Sequence, residues 1–153
     1  MLSEVLIAFA IVAVCGVIHV GVIVVFAQFL RFRFPSPERL TPQTFVLVLV
    51  FAVVIGLSLV EIGIWAAFYY FRGLFFDLET ALYFSLGTYS TIGYGDVVLP
   101  QRWRLLGGIE GISGVLLCGL SAAFLFAVLN VMFQSRLQKS VQARSERQKV
   151  GLS

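Results

Sequence analysis

Thr91-Ile92-Gly93-Tyr94-Gly95-Asp96 sets a hydroxyl, two glycines and a carboxylate between two long apolar segments. In a bilayer, irregular backbone survives only where it is buried in protein or lines water, so this loop is expected to border an aqueous path. Glycines alternate with Ile92 and Tyr94, and glycine reaches backbone geometries closed to most L-residues. Successive carbonyl oxygens can therefore be aimed at one axis. Oxygens stacked in that way can replace the water shell of a dehydrated monovalent cation.

Such a loop needs apolar walls, and the chain supplies them. Of 153 residues, 59% are hydrophobic and only 12% charged, with a mean hydropathy of +0.97, far from a soluble domain and typical of an integral membrane protein. So little polar sequence leaves no room for a catalytic module, and the chain is not expected to be an enzyme. Val5 to Leu30 is a first apolar run, about 39 Å long at helical rise, enough to cross a hydrocarbon core of about 30 Å. No basic residue precedes it and it is too long for a typical secretory h-region, which favours a retained span over a cleaved leader. Pro35 and Pro37 break the helix in a short basic loop. Thr41 and Pro42 then resemble an N-cap and first helical position, opening a second span from about Gln43 to Phe71.

Arg72-Gly73 should close that helix, and Asp77 should cap the next, with Glu79 in its first turn near the positive end of the helix dipole. This short helix, to about Thr88, cannot span; it is expected to re-enter the membrane part way and hand the chain to the loop. Trp103 marks the interface, and Leu105 to Phe133 forms the third span, followed by a polar, basic tail. Basic residues orient the whole. Arg31, Arg33, Arg39, Arg136, Lys139, Arg144, Arg147 and Lys149 fall on one side, and only Arg72, Arg102 and Arg104 on the other. The positive-inside rule then puts the C-terminus in the cytoplasm, and the N-terminus and the loop's mouth outside. Cys15 and Cys118 lie in apolar runs and read as free, buried thiols.

The hexapeptide resembles the selectivity filter of the potassium channel family, usually Thr-Val-Gly-Tyr-Gly-Asp, with Ile92 in place of the Val. The resemblance extends from about Phe45 to Phe133, over an outer helix, a pore helix (Ala81 to Thr88), the filter and an inner helix. It implies an all-α membrane protein with three transmembrane helices plus a re-entrant pore helix, assembled from four copies because a filter is built from four such loops. The expected divisions are 1–43 (N-terminal helix and basic loop), 44–134 (pore domain) and 135–153 (basic tail). By the same resemblance Thr91, Ile92, Gly93 and Tyr94 would supply the oxygens that bind K+, the only ligand expected; Gly95 would turn the chain outward. Tyr94 would pack as a strut against the pore helices, with Thr88 supporting the filter. Asp96 would sit at the mouth, with Tyr83 as candidate hydrogen-bond donor; an exposed turn carboxylate is the other reading of Asp96.

One departure from the family is Gly87, where a Glu or similar polar group is common. Glu61 and Glu110, in the outer halves of the second and third spans, are candidate substitutes. An ionisable group inside a span costs about 2.5 to 3.5 kcal/mol, so both need partners. They either hydrogen-bond the back of the pore helix or filter, or make structural contacts between helices. His19, at mid-span, is placed to reach Glu61, as a proton-sensitive group or as a neutral hydrogen-bonding one. Gly107, Gly111, Gly114, Cys118 and Ser121 lay a small-residue stripe on the third span, suited to close packing. Gly114, with Gly119 behind it, falls near the family's hinge position, and Val115, Cys118 and Ala122 would line a cavity below the filter. No voltage sensor is expected, since Arg31 and Arg33 are two arginines beside a loop. The expected partners are three more copies of the chain and membrane lipid, without nucleic acid. A weakly selective cation channel and a non-conducting subunit that modulates other channels are the rival functions.

Overall fold

The computed structural model describes residues 2–33 and 40–150, apart from the side chains of 40–43, 135, 136, 138, 139 and 142–150. Its elements are α1 (Leu2–Arg33), α2 (Leu40–Phe71), the short α3 (Leu78–Tyr89), a single 3₁₀ turn at Gln101–Trp103, and α4 (Arg104–Val150). Every regular element among the described residues is helical. Three stretches, Leu2–Arg33, Thr44–Phe71 and Gln101–Gln134, are long and apolar enough to cross a membrane. The prolines expected to break the first helix, and Arg39, lie outside the described residues, as do the side chains of the basic residues in the tail.

One boundary differs from expectation. Helix α2 begins at Leu40, so Thr41 and Pro42 stand inside its first turn, where a missing amide hydrogen costs nothing. The third span ends at Gln134, next to the expected Phe133, and helix α4 continues beyond it to Val150, because the polar, charged continuation holds good helix formers and no proline or glycine up to that point. The end of α2 is as expected. Gly73 adopts φ +65°, its N–H donates to Tyr70 O (2.9 Å), and the Leu74 N–H donates to Tyr69 O (3.0 Å), a left-handed glycine cap.

Burial on α1 runs opposite to that of a soluble helix. Glu4, Ala8, Cys15 and His19 are buried, while Leu6, Phe9, Val17 and Val25 point outward. A helix in lipid has apolar residues to spare and turns its few polar ones inward, where partners exist. Two apolar clusters hold the bundle together. Trp65, Tyr69, Ala81, Leu99 and Leu106 join α2, α3 and α4 at one level, with Ala8 and Cys15 of α1 against them. Leu30, Val46 and Val50, with Phe26 and Phe124 at their edge, join α1, α2 and α4 at the other end. The short α3 lies against both α2 and α4.

Candidate functional site

Helix α3 aims the loop. Its start is fixed by Asp77, whose carboxylate accepts from the Thr80 N–H (2.7 Å) and the Thr80 hydroxyl (2.8 Å). The Thr80 amide, bonded to the ionised form, holds the Asp77 carboxyl below the usual carboxylate range. With 12 residues, α3 is about 18 Å long, short of a crossing. At its far end the Ser90 N–H and hydroxyl both reach Leu86 O (3.1 and 2.6 Å). The chain then doubles back: the Thr91 N–H donates to Thr88 O and the Gly93 N–H to Gly87 O, each at 3.0 Å.

From there the backbone alternates in hand. Thr91 (φ 62°), Gly93 (φ 54°) and Gly95 (φ 80°) are left-handed, whereas Ile92 and Tyr94 between them are not. Alternation of this kind turns every second peptide plane over, which brings successive carbonyls toward one side of the ribbon. For the glycines it costs little; for a β-branched residue such as Thr91 it is an outlier worth about 1–3 kcal/mol, of the sort that collects at functional sites. The loop's side chains are open in the single chain, with Ile92 57% and Tyr94 70% exposed. Tyr94 nonetheless stacks on Tyr83 of α3, ring centroids 6.2 Å apart. Tyr83 Oη donates to Asp96 (2.7 Å), as does the Val97 N–H (3.0 Å). The tyrosine hydrogen bond holds the Asp96 carboxyl below its ordinary range.

Behind α3 lie the two buried carboxylates, each 0% exposed. Glu110 of α4 accepts from Tyr69 Oη of α2 (2.7 Å) and meets the Ser85 hydroxyl of α3, which also reaches Ile62 O (3.1 Å). Ser85 has one hydrogen and cannot serve both acceptors. All contacts are satisfied together if Glu110 carries a proton and donates to Ser85, which donates to Ile62 O. Glu61 of α2 is different: Tyr89 Oη, at the last residue of α3, donates to Oε2, and His19 Nδ1 of α1 lies 2.8 Å from Oε1. His19 Nε2 is 3.2 Å from the Ser121 hydroxyl of α4. If Ser121 donates to Nε2, then Nδ1–H donates to Glu61, which accepts from both His19 and Tyr89.

The small residues of α4 explain how closely it approaches. At Gly107 an added Cβ would meet the Phe84 ring at 3.3 Å, at Gly111 the Thr88 carbonyl oxygen at 3.4 Å, and at Gly114 it would overlap the Tyr89 carbonyl. Gly114 thus has a packing reason to be glycine, and α4 continues as unbroken helix through it and through Gly119, which faces open space. The residues expected to line a cavity are divided between two grooves. Val115 borders one with Thr91 and Gly93; Cys118 and Ala122 border the other, with Ser58 and Leu125. Both cysteines are free, but only Cys15 is buried; Cys118 is exposed.

Sequence reasoning did not single out Tyr69, Ser85 and Tyr89, and placed Ser121 only in the small-residue stripe; these are the hydroxyls that serve the buried carboxylates and His19. A signal existed: each is a hydroxyl in an otherwise apolar helix, where an unpartnered polar group is expensive. Nor did it find the ion pair of Glu4 with Arg102 (2.6 Å), which ties the start of α1 to the approach to α4.

Three apolar helices of spanning length, with a fourth too short to span delivering a loop between two of them, define a pore-forming membrane protein. The family model described as "Ion channel" matches residues 43–131, more than half of the chain, and the protein belongs to that family. The match covers α2, α3, the loop and most of α4, and leaves out α1. No curated protein and no solved structure matches the chain.

Proposed function

We propose that this ion channel is selective for potassium and conducts it passively through a filter made by four copies of residues 91–96. The observation that carries the reading is the alternating hand of Thr91 through Gly95, paid for by strain at a threonine. Four such ribbons around an axis would set rings of carbonyl oxygens from Thr91, Ile92, Gly93 and Tyr94 around a dehydrated ion. The exposed face of Tyr94 fits the same assembly, since a neighbouring copy would cover it. Asp96, tethered to Tyr83, guards the mouth, and the C-terminal end of α3 points its partial negative charge toward the ion's path. Thr88 supports the loop by accepting the Thr91 N–H, and Glu61 and Glu110 support α3 from behind.

The pore unit is 44–134, preceded by an accessory helix and basic loop (1–43) and followed by a basic tail (135–153) on the cytoplasmic side of the cell membrane. Val115, Cys118 and Ala122 line the path below the filter, and Gly114 with Gly119 gives α4 room to bend there. The test is ion flux from potassium-loaded vesicles containing the purified chain. Potassium efflux with a reversal potential that follows the potassium gradient and ignores sodium is expected. Equal permeation of sodium would demote the chain to a weakly selective channel, and no flux from a well-formed tetramer would make it a non-conducting subunit.

A further inference from the structure

The hydrogen-bonded cluster around Glu61 takes a residue from each of the four α-helices among the described residues. His19 comes from α1, Glu61 from α2, Tyr89 from α3 and Ser121 from α4. His19, Glu61 and Ser121 are buried, and Tyr89 is 2% exposed. Helix α1 lies outside the stretch that matches the ion channel family, so one arm of this cluster reaches into the matched stretch from a helix beyond it. That arm ends close to the loop, for Tyr89 is two residues before Thr91. Tyr89 is gripped from two sides, its hydroxyl by Glu61 and its carbonyl by the flat face of α4 at Gly114.

We infer that His19 is a positioning residue for the loop: it fixes residues 88–95 by holding Glu61 in place to receive the Tyr89 hydroxyl. The inference rests on the proposed function for its consequence in conduction, though its geometry does not depend on it. A buried acceptor must have its donors. Without Nδ1–H, the Oε1 atom of Glu61 loses its partner from α1, and the carboxylate must turn to recover a hydrogen bond. That turn disturbs the oxygen to which Tyr89 is tied. Ser121 steadies the same ring from α4, so the imidazole cannot rotate freely. The rest of α1 keeps its seat without His19: Glu4 binds Arg102 at one end, and Leu30 packs against Val46 and Val50 near the other. Loss of His19 therefore releases a bond to the loop without releasing the helix, and this ring gives a sideways shift of α1 a hydrogen-bonded route to the loop.

Amide hydrogen exchange on the purified full chain tests it, together with flux. His19→Leu should speed exchange in residues 88–95 about tenfold, equivalent to about 1.4 kcal/mol, and leave 78–82 unchanged. His19→Asn, whose amide nitrogen takes the place of Nδ1 and keeps the bond to Glu61, should restore slow exchange. Tyr89→Phe should give the same acceleration, and the double variant no more than either alone, because both cut one chain. A purely structural histidine would instead loosen α1 or lower the thermal midpoint, with effects that add to those of Tyr89→Phe. Unchanged exchange at 88–95 in His19→Leu, or additive effects in the double variant, would overturn the inference. If His19→Leu does not assemble, His19→Gln, whose amide reaches the Ser121 side of the site but not Glu61, replaces it with the same expectations. In vesicles, His19→Leu should also hasten current decay. A wild-type chain that carries no potassium would sink the proposed function, while the exchange cycle would still decide the role of His19.

Discussion

Glu61 and Glu110 are the same residue type, equally buried and both placed behind α3, yet the structure uses them in different ways. Glu110 sits among two hydroxyls and a carbonyl, and that set lacks one hydrogen unless the carboxyl brings its own. Glu61, with the hydrogen of His19 on Nδ1, faces two donors and needs only to accept. One therefore behaves as an acid that glues the middle of α3 to α2 and α4. The other is an acceptor that holds the last residue of α3 and is itself held by α1. The contrast shows that the insertion cost of a carboxylate, about 2.5–3.5 kcal/mol, can be offset by neutralisation or by donors, and that these solutions place different demands on the neighbours.

The largest effect should separate the glycines beneath the two nodes. Gly114→Ala drives a methyl group into the Tyr89 carbonyl, a backbone atom that cannot step aside, whereas Gly107→Ala meets the edge of a phenylalanine ring that can. Gly114→Ala should cost about 1–3 kcal/mol or more and abolish ion flux; Gly107→Ala should stay under about 1 kcal/mol. Thermal unfolding of the two variants in detergent measures this, and equal midpoints would erase the distinction between the nodes.

Next comes amide for acid. Glu110→Gln keeps both an acceptor and a donor where Ser85 requires one, and should change stability by less than about 1 kcal/mol. Glu61→Gln turns one of two acceptors into a donor that confronts another donor, and should cost about 1–3 kcal/mol and speed current decay. A Glu110→Gln variant more damaged than Glu61→Gln would reverse the assignment of hydrogens. Spectroscopy sharpens the same point. The wild-type infrared spectrum should contain a protonated-carboxyl stretch that Glu110→Gln removes and Glu61→Gln leaves in place.

Much of this architecture was legible along the chain, because membrane helices announce themselves by length and hydropathy and short helices by their caps. Asp77, Gly73 and the three spans could be read because each obeys a local rule. The carboxylates stood out for their cost, and even the reach of His19 to Glu61 followed from depth alone. Depth does not give azimuth, however, and so Tyr69, Ser85 and Tyr89 passed as ordinary members of apolar helices until α2, α3 and α4 were set side by side. For the same reason Gly114 could be read along the chain as a packing glycine and as a hinge position, but not as the seat of the Tyr89 carbonyl, which is what it packs against. Polarity marked the end of the third span correctly, but polarity ends only the membrane span and says nothing of where the helix stops, so the continuation of α4 to Val150 was not legible from it.

The smallest effect lies outside both nodes, at the mouth, where the carboxylate is open to water and can titrate freely. The chain has two aspartates, Asp77 and Asp96, so carboxyl signals from 13C-labelled aspartate are two in number. Both carboxyls are held below their ordinary value, Asp77 by the Thr80 amide and Asp96 by the Tyr83 hydroxyl. A depressed carboxyl contributes stability above its unfolded pKa of about 3.8 and loses it as pH falls through the lower folded value. Acid should therefore free Asp96 from Tyr83 only below about pH 4, and neutral pH should leave the bond intact. Tyr83→Phe removes the leading cause at Asp96 alone: its titration should move up toward the ordinary range while that of Asp77 stays where it was. Movement of both signals would mean that the mouth and the start of α3 titrate as one unit. Movement of neither would mean that Asp96 owes its low value to the backbone, and that the tyrosine matters there only for the ring it stacks beneath Tyr94.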